Sequence, residues 1–295
     1  MHGRHVARPA NLIERLANDI IARQVAAALA EDLGGGDVTA ALVPATEQVR
    51  ATIVAREAAV LCGTDWVDAT FRQLDAAIHL EWLVADGAPL RTDMPVLRIS
   101  GPARPILTGE RTALNFLQTL SATATAASRY VAAIAGTNCR ILDTRKTLPG
   151  LRLAQKYAAR CGGAQNHRLG LYDMVLIKEN HIIAAGSIGT AVAAARRTSP
   201  GVPVEVEVES LHEFDQALAA GAEIIMLDEL SHNDIRSAVA RNRAQGARAK
   251  LEASGSVTLA TVREIALTGV DYISVGGITK HVQAVDLSMR FEFAA

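Results

Sequence analysis

A chain of 295 residues, 49% apolar and 21% charged, has an ordinary globular composition, long enough for two cores and too apolar for disorder. Its net charge of −1 and isoelectric point near 6.7 exclude the broad positive field that nucleic-acid or membrane-surface binding requires. No run approaches the ~18 apolar residues of a bilayer span, and MHGRHVARPANLIERLANDI lacks the apolar core of a signal peptide, so a cytoplasmic protein is expected. Cys62, Cys139 and Cys161 show no CxxC or Cys/His spacing; they are expected as core thiols, not as zinc ligands or disulfide partners.

In chain order, NLIERLANDIIARQVAAALAEDLG predicts a first helix. EQVRATIVAREAAVLCG and LEWLVADGAPLRTDMPVLRISGP alternate apolar and polar residues around turn signals such as DGAP, with no helix expected between successive runs, which predicts an antiparallel sheet. A long helix, TGERTALNFLQTLSATATAASRYVAAIAG, follows. The domain boundary is placed near residue 125, beside or inside that helix. Residues 1–125 then form an N-terminal α/β domain and 126–295 a second domain, with a C-terminal helix expected to pack back on the first.

From about Asp143 onward one module repeats: a short β-branched run, a polar residue at its end, and an amphipathic helix closing at glycine. The runs are RILDTRK, DMVLIKEN, VPVEVEVES, EIIMLDEL, AKLEASGS and DYISVGG, and Gly221, Gly246 and Gly269 close helices 25 and 23 residues apart. Strands alternating with helices at this spacing predict parallel βαβ units and a closed or nearly closed α/β barrel, with a doubly wound open sheet as the rival.

In a parallel barrel the reactive groups gather at the carboxyl ends of the strands. Those ends supply Arg145 and Lys146, Lys178, Glu207 or Glu209, Asp228, Glu252 and Ser254, then Gly276 and Gly277. Alternation in VEVEVES puts Glu205, Glu207 and Glu209 on one face, which inside a barrel requires cations, a metal or hydroxyls to pair with them; the plain alternative is a solvated edge strand. The segment Asp143–Ile182 holds seven Lys or Arg against three Asp or Glu. Arg152, Lys156 and Arg160 fit a solvated helix face at spacing four, whereas Arg145, Lys146, His167, Arg168 and Lys178 can share one mouth. Arginine suits planar carboxylates and lysine suits phosphate, so the ligand is expected to carry both kinds of anion. EASGSVT and SVGGITKH place small residues between a strand and a helix start, where backbone N–H groups can cradle a phosphate.

These motifs carry a family resemblance. DTRKTLPGLR, CGGAQNHRLGLYDMVLIKENHI, VEVEVESLHE, IIMLDEL, EASGSVT and GVDYISVGG, with EDLGGGDVTAALVP and LTGERTALNFLQTLS upstream, resemble the successive motifs of the quinolinate phosphoribosyltransferases, from about Glu31 to Phe291. SATATAA stands where many members have SGIAT, DEL where many have DNM, and GGITKH where many have GALTH. The resemblance implies an N-terminal α/β sandwich domain plus an irregular, open, TIM-like α/β barrel. It implies a reaction in which quinolinate and phosphoribosyl pyrophosphate give nicotinate mononucleotide, pyrophosphate and carbon dioxide, with Mg2+ as cofactor, in NAD biosynthesis. Its quinolinate ligands correspond to Arg145, His167, Arg168 and Lys178, with Arg111 reaching in from a neighbouring subunit of a homodimer or larger homo-oligomer. Its phosphoribosyl ligands correspond to Lys146, Glu207, Asp228, Ser254, Gly255, Gly276 and Lys280, His281 being the alternative to the last. Lys146, Lys178, Glu207 and Asp228 are the expected catalytic residues, and Glu207 and Asp228 the expected magnesium ligands. Other readings of the same residues are a Schiff-base aldolase with Lys178 as nucleophile, a sensor that binds a phosphorylated metabolite without turnover, and a relative that takes nicotinate without decarboxylation.

Overall fold

The computed structural model describes residues 18–293. Helix α1 (Asn18–Leu33) carries the first expected helix, whose residues 11–17 lie outside the described ones. The alternating segments form β1 (Gln48–Ala55) and β2 (Ala59–Val60), then β3 (His79–Trp82), β4 (Pro89–Leu90) and β5 (Pro95–Pro102). Contrary to expectation, a helix α2 (Thr64–Leu74) stands between β2 and β3. Its stripe of Trp66, Val67, Thr70 and Phe71 is buried at helical spacing, so the apolar face outweighs the alternation around it. The long helix is α3 (Ala103–Ala133). The modules follow: β6 (Arg140–Leu142), α4 (Arg152–Cys161), β7 (Val175–Ile177), α5 (Glu179–Ala185), α6 (Ile188–Thr198), β8 (Val204–Val208), α7 (Leu211–Ala219) and β9 (Ile224–Asp228). After them come α8 (His232–Ala244), β10 (Lys250–Ser254), α9 (Val262–Ala266), β11 (Tyr272–Ser274), α10 (Gly277–Lys280) and β12 (Leu287–Phe293).

The chain divides into two compact units. Among the described residues one comprises 18–128, 148–163 and 281–293, and the other 129–147 and 164–280. The division falls within α3; α4, expected in the barrel domain, and the C-terminal segment, expected to pack back on the first domain, both belong to the sheet unit. The C-terminal segment is a strand and not the expected helix. LSMRFEF alternates, with Leu287 and Met289 buried, and β12 pairs antiparallel with β1. The sheet runs β12-β1-β5-β3, antiparallel throughout, over a core that includes Ile53, Val96, Leu97, Ile106 and Leu117.

Helix α4 departs from the solvated face expected of its basic row. Lys156 is fully buried, and its neighbour Gln155 donates to Thr123 Oγ1 and accepts the Leu148 N–H. Cys62 and Cys161, far apart in sequence, meet beside Asp86, and burial pushes the Cys62 thiol well up. Gly162, just past α4, is held against α3: a Cβ there would fall 2.6 Å from Ala127 Cβ and onto the Ala124 carbonyl. Gly162→Ala is therefore expected to lower the melting temperature by several degrees, the effect of roughly 1–3 kcal/mol of overpacking against backbone. Gly189 of α6 has open space around it, so Gly189→Ala is expected to raise stability by about 0.5–1 kcal/mol. Thermal unfolding of the two variants beside the parent reads both.

In the second unit six parallel strands follow the order β6-β11-β10-β9-β8-β7. From β7 to β11 each strand lies beside its successor, and β11 closes onto β6, so the winding never reverses. This excludes the doubly wound sheet, which needs a switch point. Among the described residues β6 and β7 do not pair with each other, so the barrel is open. Strand β9, IIMLD, is apolar on both faces, whereas β8 and β10 each bury a glutamate, Glu205 and Glu252. Ser210 and Ser231, set between a strand and the next helix, accept the N–H groups of Glu213 and Asp234 and start α7 and α8 at once. Gly221, Gly246 and Gly269 have φ of 77°, 84° and 97°, the left-handed conformation that ends a helix.

Candidate active site

The strand ends of the barrel unit bring together most of the residues expected there. Arg145 and Lys146 follow β6, the loop 165–170 runs beside it, and Lys178 follows β7. Glu207 lies on β8, Asp228 ends β9, Ser254 ends β10, and Gly276 follows β11. The loop is locked first. Gln165 donates to the Ile141 carbonyl and accepts from Asp143 N–H, adding a parallel bridge to β6. Asp143, fully buried, accepts the His167 N–H on Oδ1 at 2.9 Å and Asn166 Nδ2 on Oδ2 at 2.5 Å. Asp173 accepts the N–H groups of Leu169 and Gly170, closing the turn that follows.

Two guanidinium groups share this region. Arg168 donates to the Met174 carbonyl at 3.3 Å. Burial, then repulsion from Arg145, holds its pKa below the usual arginine value, while Glu205, Asp173 and Glu207 pull it back up. Arg145 Nε is buried without a hydrogen-bond partner. Two cations kept close, one with an unsatisfied buried donor, suit an anion with more than one carboxylate.

Lys178 Nζ donates to Glu207 Oε2 in an ion pair that is half-exposed on the lysine side. Strand β8 lies between β7 and β9, so the solvated-edge reading of VEVEVES fails. Glu205 is fully buried, Glu207 half-buried and Glu209, one residue past the strand, exposed. Asp228, half-buried on the adjacent strand, forms no ion pair among the described residues.

Small residues at the expected cradle let neighbouring side chains approach its backbone closely. A Cβ at Gly276 would fall 2.9 Å from Lys146 Cδ, so this glycine makes room for the lysine stem. The Lys146 carbonyl accepts from Thr279 Oγ1 at 2.7 Å, tying that loop to α10. Gly255 has φ 98°, and the Glu229 side chain occupies the space a Cβ would need. Glu229 and Ser256 themselves take positive φ of 51° and 41°, joined by a Ser256 Oγ to Glu229 Oε1 hydrogen bond of 2.8 Å. Such backbone strain gathers at functional sites. Lys280 is exposed at the end of α10. Arg111 is exposed on α3 in the other unit, where its charge partly offsets the burial that raises the Glu110 pKa.

Residues 37–121 match the N-terminal domain, and 123–290 the C-terminal domain, of quinolinate phosphoribosyl transferase. The chain belongs to the quinolinate phosphoribosyltransferase family. It is 42% identical over 280 residues to the carboxylating nicotinate-nucleotide pyrophosphorylase of Mycobacterium leprae, covering 92% of this chain and 96% of that relative. It is 38% identical to a decarboxylating quinolinate phosphoribosyltransferase of Nicotiana tabacum, over 90% of this chain and 80% of that one. The solved nicotinate-nucleotide pyrophosphorylase of Francisella tularensis superposes with a TM-score of 0.92 at 46% identity, over 95% of this chain and 99% of that one. The N-terminal sheet unit and the open α/β barrel expected from the resemblance are therefore the family fold.

Beside those residues the barrel buries Glu205 and Glu252, which the sequence singled out without giving them a role, and Asp143, to which it gave none; all three are fully buried. Glu205 carried a signal in its alternation with Glu207, and Glu252 in ending a barrel module. Asp143 carried none beyond its place after RIL.

Proposed function

We propose that this chain transfers the phosphoribosyl group of phosphoribosyl pyrophosphate to quinolinate and decarboxylates the product, giving nicotinate mononucleotide, pyrophosphate and carbon dioxide for NAD biosynthesis. The pairing of Arg145 with Arg168, a buried donor of the first lacking a partner, carries this reading, because quinolinate brings two adjacent carboxylates to such a pair. A ring with one carboxylate would leave part of the cluster unsatisfied.

The chemistry follows from where charge moves. As pyrophosphate leaves, C1 of the ribose gains oxocarbenium character, and the carboxylates of Glu207 and Asp228 favour that positive charge. The pyridine nitrogen takes the vacated bond and becomes cationic. The 2-carboxylate then leaves as carbon dioxide; its electron pair stays on a carbon beside the positive nitrogen, and a proton from solvent completes nicotinate mononucleotide. Lys146 and the glycine-flanked turns at Gly255 and Gly276 take the phosphates, and Lys178, released from Glu207, is free to meet a substrate anion. The site thus works by positioning and electrostatics.

Magnesium suits the donors present: Glu207 and Asp228 are hard oxygen ligands on adjacent strands, and Asp228 has no ion pair among the described residues. Bound there, it would neutralise charge on the departing pyrophosphate. A homodimer with shared sites is part of the same proposal, as is a cytoplasmic setting; among the described residues no helix is long and apolar enough to cross a membrane. Incubation with both substrates should release pyrophosphate and carbon dioxide in equal amounts. Pyrophosphate release without carbon dioxide would overturn the decarboxylation, and absence of both would overturn the whole reading.

A further inference from the structure

Glu205 on β8 and Glu252 on β10 have no part in the chemistry above, yet both are fully buried inside the barrel unit. Burying a carboxylate costs several kcal/mol unless a partner holds it. The two meet at His167: its Nε2 lies 2.9 Å from Glu205 Oε2 and 3.4 Å from Glu252 Oε1. The opposite ring nitrogen, Nδ1, accepts the backbone N–H of Arg168 at 2.8 Å. A neutral imidazole that accepts at Nδ1 must carry its proton on Nε2, which faces the two carboxylates. The ring therefore spans from the barrel strands to the backbone of Arg168, while Asp143 grips the same loop through the His167 N–H.

We propose that Glu205 and Glu252 are positioning residues, which hold His167 as the Nε2-protonated tautomer and through it set the Arg168 guanidinium for a substrate carboxylate. With Nδ1 taken by the Arg168 N–H and Nε2 set close to both carboxylates, the ring couples the barrel strands to Arg168. Glu205 has a second part: it is the first of the acidic groups that offset the repulsion between Arg168 and Arg145. Outer partners of this kind fix ring orientation wherever a histidine serves a site. The proposal rests on the reading that Arg168 binds quinolinate.

Glu205→Gln and Glu252→Gln keep the shape and remove the charge. Each is expected to raise KM for quinolinate at least about tenfold, the loss of one buried charge held against the imidazole, with KM for phosphoribosyl pyrophosphate changed by less than about twofold. Adding Glu252→Gln to His167→Asn should cost nothing further, because the glutamate acts through the imidazole. In the parent, nitrogen NMR of His167 should show a protonated Nε2 and an unprotonated Nδ1, and the tautomers should mix in the Gln variants. Equal rises in both KM values together with a fall in melting temperature would reduce the glutamates to structural roles and overturn the proposal. So would losses that multiply in the double variant, or a protonated Nδ1 in the parent. A parent that shows the tautomer but binds no quinolinate would overturn the functional reading, and with it the substrate half of the proposal.

Discussion

Arg111→Ala and Lys146→Ala proteins, each nearly inactive alone, are expected to recover activity when mixed and allowed to exchange subunits. Lys146 sits at a barrel strand end, with Gly276 opened to its stem. Arg111 lies in the other unit, exposed on α3. If the partner's α3 supplies the arginine to each barrel, a mixed dimer holds one site with both residues intact and one with neither. Random exchange makes half the dimers mixed, so the expected recovery is about a quarter of the parent activity in an isologous two-fold dimer. The alternative is a surface arginine whose only task is to balance Glu110, a contact of the kind worth little. On that alternative Arg111→Ala stays active by itself. If Arg111 serves its own barrel, the mixture stays as inactive as its parents even though exchange is complete. Native mass spectrometry of differently tagged chains verifies the exchange, and initial rates read the recovery.

Glu207→Ala and Asp228→Ala are expected to lower kcat by roughly 10²–10³, the scale seen when one preorganised group facing developing charge is removed. Quinolinate affinity should change by less than about threefold in the same proteins. For Asp228 the argument is direct, since a half-buried carboxylate with no ion pair among the described residues contributes nothing to a dianion except repulsion. For Glu207 the argument runs through Lys178. Removing the carboxylate breaks its ion pair with Lys178 Nζ and leaves the ammonium free for a substrate anion, so binding should hold or tighten while turnover falls. Calorimetric titration of quinolinate alongside single-turnover rates separates the two quantities. Loss of binding with a normal residual rate would move both residues from the ribose to the pyridine.

The sequence carried the barrel well because its signals were local. Each strand was a short β-branched run, each helix closed at a glycine in the left-handed conformation, and the reactive groups fell at module ends by counting alone. What escaped it depended on contacts between distant segments. α2 was hidden among alternating residues, since its buried stripe counts only once a sheet covers it. β12 alternates as clearly as β1, but seven residues near a terminus do not disclose a partner more than 200 positions away. Lys156 has the spacing of a solvated row, yet the folded chain buries it completely. The same limit explains Glu205 and Glu252. A glutamate ladder announced that something must pair with it, while the identity of that partner, a histidine whose other nitrogen is already taken by Arg168, exists only in the folded barrel.

Substrate choice tests the central claim most directly. Carbon dioxide and pyrophosphate release are measured with phosphoribosyl pyrophosphate and either quinolinate or nicotinate, at equal concentrations of each ring. The clustered Arg145, Arg168 and Lys178 call for two carboxylates, and a site built to pair a polar group rejects an analogue lacking it by as much as ~10⁴. The account predicts equimolar carbon dioxide and pyrophosphate with quinolinate and, at most, a trace of pyrophosphate with nicotinate. Comparable pyrophosphate release from both rings would contradict it.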